Sequence, residues 1–111
     1  MSRTNSPKSL GYSSSLVLQA IAGNFRYGFD IMDVTGLPSG TVYPALNSLE
    51  ESGFVDSSWE SADLAHQEKR PPRRYYEMTS AGRRILEVSL ERFRLLEELR
   101  QKSPSSEPGR A

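Results

Sequence analysis

The chain has 111 residues, 36% hydrophobic and 25% charged, with no cysteine; this fits one soluble domain with a modest core and excludes a disulfide framework, thiolate chemistry and thiolate metal ligation. No apolar run approaches the roughly 20 residues needed to span a bilayer, and the opening "MSRTNSPKSLGYSSS" lacks the apolar core of a signal peptide, so a cytoplasmic protein without a membrane partner is expected. The zero net charge hides a segregated distribution: residues 1–26 carry +3, residues 27–65 carry −7, residues 66–84 carry +4, and the remainder balances.

Both ends, 1–12 and 103–111, are rich in Ser, Pro and Gly and read as a disordered arm and tail. "SSSLVLQAIAG" at 13–23 predicts a largely buried first helix, capped by one of its serines and stopped by Gly23. "YGFDIMDVTG" at 27–36 predicts a short second helix carrying Phe29, Ile31 and Met32. The third helix opens at Pro38 or Ser39 and closes at Gly53, with Val42, Leu46 and Leu49 on one face.

The period then changes. Alternation in "FVDSSW" at 54–59 predicts one strand, and "PRRYYEMT" at 72–79, with Tyr75, Tyr76 and Met78, a second; they form a hairpin joined through a long, mobile, polar tip that holds the chain's one histidine, His66. Thr79 caps a last helix over 80–102. Its apolar residues spread over roughly 220° at about 100° per residue, about twice the stripe that packing on one small domain requires. The surplus predicts a homodimer through Ile85, Val88, Leu95, Leu96 and Leu99. Glu97 with Arg100 and Glu98 with Lys102 sit at ion-pair spacing.

Two short helices joined by a tight Gly-Leu-Pro turn and followed by a hairpin define a winged helix-turn-helix, mostly α with a small β-hairpin, over 13–79. The long C-terminal helix serves dimerisation. Within "PSGTVYPAL" Pro44 cannot donate to the carbonyl four residues back, which belongs to Gly40. A loosely wound start of the third helix is expected, with Ser39, Thr41, Tyr43, Pro44 and, a turn later, Asn47 on the side away from the core. Early residues of the second helix of such a motif meet base edges or phosphates, and hydroxyls, an amide and a phenol suit both. "KRPPRR" adds Lys69, Arg70, Arg73 and Arg74 on the wing. The expected partner is double-stranded DNA.

The stretch "LVLQAIAGNFRYGFDIMDVTGLPSGTVYPALNSLEESGFV" with "RPPRRYYEMTSAGRRIL" resembles the PadR family of bacterial transcriptional regulators, over about residues 14–90. The Gly40–Leu46 block carries most of the specificity, and Arg73-Arg74-Tyr75-Tyr76 with Thr79-Ser80-Ala81-Gly82 the rest. The resemblance implies a homodimeric repressor of a palindromic operator. Tyr43 and the wing arginines then face DNA, and one helix follows the wing, as in the family's short branch. It also implies a response to small aromatic compounds at the dimer interface, with Phe93 and Trp59 as the aromatic candidates. Asn47 and Ser48 stand where the family usually has basic residues, and residues 27–65 hold seven acids and no base. An alternative is therefore a winged-helix protein-interaction module that no longer binds DNA. Enzyme chemistry is not expected, because the only histidine, His66, lies in the hairpin loop, no Gly-rich loop follows a strand, no carboxylate pair has an evident orienting partner, and Asp30 and Asp33 read as a solvated face. No metal or cofactor is expected.

Overall fold

The computed structural model describes residues 8–102. Three helices come first: α1 (Tyr12–Ala22), α2 (Gly28–Thr35) and α3 (Ser39–Glu51). Strands β1 (Val55–Trp59) and β2 (Arg74–Met78) form an antiparallel pair, with Val55 opposite Met78 and Trp59 opposite Arg74. Helix α4 (Ala62–Gln67) lies between the strands and α5 (Ser80–Lys102) follows them. The winged helix-turn-helix architecture expected from the sequence is the one observed.

Apolar spacing fixes the packing. Val17, Leu18 and Ile21 of α1, Ile31 of α2, and Val42, Leu46 and Leu49 of α3 meet in one core, closed by Phe54, Val55, Tyr76, Ile85 and Leu86. The turn between α2 and α3 begins at Gly36, whose N–H bonds to the Met32 carbonyl. The segment between α1 and α2 runs along the free edge of β2: the Tyr76 N–H donates to the Arg26 carbonyl at 2.8 Å, and Tyr27 bridges Tyr75. Thr79 caps α5, accepting from the Gly82 N–H at 3.0 Å while its hydroxyl donates to the Gly53 carbonyl at 2.7 Å.

The structure corrects several expectations. The described part of the N-terminal arm is packed rather than loose: Leu10 is buried, and its N–H donates to the buried Ser89 hydroxyl at 2.8 Å. Residues 1–7 and 103–111 lie outside the described residues. Gly11, not a serine, precedes α1, without a side-chain cap. Helix α3 runs unbroken through Pro44; with Gly40 four residues back, the proline ring meets no Cβ of its own turn. The strand connection is not a polar tip but a helix. Ser61 caps it by accepting from the Leu64 N–H, Ala65 is buried beneath it, and His66 sits on it. Glu98 pairs with Arg94 instead of Lys102, whereas the Glu97–Arg100 pair forms. Ile85, expected in a dimer contact, is only 9% exposed and belongs to the protomer's own core.

Candidate nucleic-acid interface

One face of α3 is committed to the core, so the other is left to solvent. Ser39, Tyr43, Pro44 and Asn47 are exposed there, while Thr41 is half-buried. Tyr43 is 42% exposed, and its phenol leans over the first residue of α2, Gly28, filling the space a side chain would take. Tyr43 thus bridges α3 and the start of α2 while keeping one edge open.

Across from α3 stands the wing, and its cations are not equivalent. Arg70 forms a two-toothed ion pair with Glu60, at 2.6 and 2.9 Å. The same carboxylate accepts from the Arg73 N–H at 3.2 Å and the Tyr75 hydroxyl at 3.3 Å. These donors, Arg70 above all, hold the Glu60 carboxyl down to about 2. Arg74 donates to Glu50 at 3.2 Å and to the Ser57 hydroxyl at 2.8 Å, and Ser57 in turn donates to Glu50 at 2.7 Å. Arg70 and Arg74, expected to face DNA, are therefore each ion-paired within the chain. Lys69 and Arg73 form no ion pair among the described residues. Arg73 instead rests over the Tyr27 ring, 4.1 Å from its centroid.

Between α3 and the wing lies a cavity of about 540 Å³ whose walls include Tyr27, Tyr43, Trp59, Tyr76, Arg73 and Asn47. Trp59 is 65% exposed there, with Arg74 5.6 Å from its ring centroid. Phe93 stacks edge-on against Tyr12, centroids 5.8 Å apart, on the α1–α5 side. Trp59 and Phe93, expected in one effector pocket, share no cavity among the described residues. Tyr27, Gly28, Glu50 and Glu60 were missed as site residues. One of them was within reach of the sequence: extending the hairpin register places Glu60 opposite Arg73. The far end of α5 is bare, with Val88, Leu95, Leu96 and Leu99 all exposed and the first three lining a groove along the helix.

A helix-turn-helix flanked by a basic wing, with a polar helix face beside it, defines the winged-helix class of regulators. The sequence model of the transcriptional regulator PadR-like family matches residues 17–88, and the chain belongs to that family. Solved structures agree on the fold. A PadR family transcription regulator from Clostridium difficile R20291 aligns over 83% of this chain and 97% of its own, at 23% identity and a TM-score of 0.72. A transcriptional regulator from Clostridium thermocellum aligns over 85% and 91%, at 22% identity and a TM-score of 0.70. No curated protein gives a significant match.

Proposed function

We propose that the protein is a homodimeric repressor that binds a palindromic operator through α3 and the wing. The observation that carries this is the exposed face of α3, where Ser39, Tyr43, Pro44 and Asn47 stand open and Tyr43 and Asn47 share a cleft with Arg73 of the wing, which has no ion-pair partner among the described residues. Polar and aromatic groups at the start of a second helix reach base edges in a major groove, and wing cations take the phosphates. The exposed leucines of α5 supply the twofold contact, and twofold protein symmetry calls for a palindromic site. Occupancy of such a site excludes other proteins from it, which is repression. Release by a small molecule completes the reading.

Gel-shift titration against the DNA upstream of the protein's own operon, at two salt concentrations, tests it. Tyr43→Ala is expected to weaken binding by about 1–3 kcal/mol with little change in melting temperature. Equal binding by the variant would remove Tyr43 from the contact. A second reading, a protein-interaction module, draws on the seven acids and absent bases of residues 27–65. No salt-dependent shift with any duplex would favour it.

A further inference from the structure

Helix α4, between the two wing strands, belongs neither to the open face of α3 nor to the cleft beside it. It is pinned in place. The Ser61 hydroxyl accepts from the Leu64 N–H, Ala65 is buried, and the Arg70 N–H donates to the Ala65 carbonyl at 3.1 Å. Glu60 clamps the base of this segment, taking both teeth of Arg70 and the Arg73 N–H. The wing therefore ends in a blunt, fixed helix and not in a thin loop.

Width decides what such an end can enter. A helix with its side chains is about 10–12 Å across, and the minor groove of B-DNA is about 6 Å wide. Entry would require the groove to open roughly twofold, a deformation that extra contacts must offset. The tip has few to give. Minor grooves are entered with free arginine or with an apolar wedge. Arg70, the arginine at the tip, is held by a Glu60 side chain that is only 3% exposed. Residues 61–68 carry Asp63 and Glu68 and no Lys or Arg. Both acids are exposed and form no ion pair among the described residues. Leu64 is exposed as well, but Glu68 follows four residues on, the spacing of neighbours on a helix surface. A wedge at Leu64 would carry a carboxylate into the negative potential of the groove.

We infer that α4 keeps the wing out of the minor groove. The wing rests outside, on phosphates, through Lys69 and Arg73; Asp63 and Glu68 limit how closely it approaches; and base reading is left to α3. This rests on the DNA-binding reading above and adds to it where sequence is read and which residues restrain affinity.

Substituted duplexes test it, made on the sequence upstream of the protein's own operon that the gel assay shifts. Inosine in place of guanine removes the minor-groove amino group and leaves the major-groove edge intact, whereas 7-deazapurines remove the N7 acceptors of the major groove. The inosine duplex should bind within about twofold of the parent and the 7-deazapurine duplex roughly tenfold more weakly, as loss of a paired base contact predicts. The double variant Asp63→Asn, Glu68→Gln should gain roughly threefold at low salt. Operator and random duplex should gain alike, because phosphates carry no sequence. Neither side chain is buried or hydrogen-bonded among the described residues, so folding is not at stake. An inosine duplex that loses as much affinity as the 7-deazapurine one, a 7-deazapurine duplex bound like the parent, a double variant with unchanged affinity, or a gain confined to the operator would each overturn the inference. A protein that shifts no duplex sinks the repressor reading and this with it. One that shifts the parent duplex but loses the inosine duplex sinks this inference alone.

Discussion

Gly28 and Gly82 each face a close neighbour, and what that neighbour is decides what a methyl group would do. At Gly28 a Cβ would meet the phenol of Tyr43, the far end of a side chain that can swing away. At Gly82 it would meet the Phe54 carbonyl group, backbone that anchors the cap of α5 through Thr79, with the Met78 side chain 2.9 Å off. Gly28→Ala is expected to leave stability within about 1 kcal/mol, since alanine also favours the helix. It should nevertheless turn Tyr43 out of register and weaken DNA binding by about 1–3 kcal/mol. Gly82→Ala should do the reverse, costing about 1–3 kcal/mol of stability through overpacking while the molecules that remain folded bind normally. Thermal melts paired with gel-shift titrations of the two variants separate these outcomes. Similar behaviour of the two would show that the Tyr43 position does not matter for contact.

The wing is an element held by charge. Its strands are short, and the connection between them spans Glu60 to Arg73, so strand pairing alone anchors little of it. Glu60 ties α4's exit to β2 by accepting from Arg70, the Arg73 N–H and Tyr75 together. Its carboxyl is lowered from 4.5 to about 2. The contribution of such a depressed group is complete above about pH 4.5 and is lost as pH falls through about 2. Glu60→Gln should thus be less stable than the parent near neutral pH, and the gap should close as pH drops across that window. Denaturant titrations of both proteins along a pH series check it; a gap independent of pH would mean that the charge of Glu60 is not what holds the wing. Legibility in the sequence follows the same line. Helices α1, α2, α3 and α5 and both strands were readable, because each repeats its apolar residues at its own period. Helix α4 was not: it buries one residue, Ala65, so its six residues show no stripe, and only Ser61 signals its start. The open face of α3 could be read from what Val42, Leu46 and Leu49 leave over. Which arginines stay free could not, since Glu50 and Arg74 stand 24 residues apart and meet only through the fold.

For the molecule as a whole, two quantities follow from counting what remains unpaired. The first is charge. On the proposed reading, with Arg70 and Arg74 held by carboxylates, Lys69 and Arg73 are the wing cations left for phosphates, four in a dimer. The logarithm of the binding constant should fall with that of salt concentration at a slope of about −4. A slope near −7 would mean that both ion pairs open on DNA and that the wing rearranges. The second is apolar surface. Helix α5 buries only Gly82, Ile85, Leu86 and Ser89, all in its first half. Val88, Leu95, Leu96 and Leu99 lie within about 100° of one another around the axis and stay exposed, with no partner among the described residues. The ion pairs of Arg94 with Glu91 and Glu98 lie around the helix from this stripe. Leu99 is 66% exposed, so Leu99→Glu cannot unfold the protomer by leaving a hole in its core, and it reports on association alone. Sedimentation should show a dimer for the parent chain and a folded monomer, with unchanged helix content, for Leu99→Glu. The monomer reaches one half-site, loses the linkage that makes the second half-site contact intramolecular, and should lose most of its affinity for a palindromic duplex. A variant that stayed dimeric would move the twofold contact elsewhere. A monomer that kept its operator affinity would show that one protomer is enough.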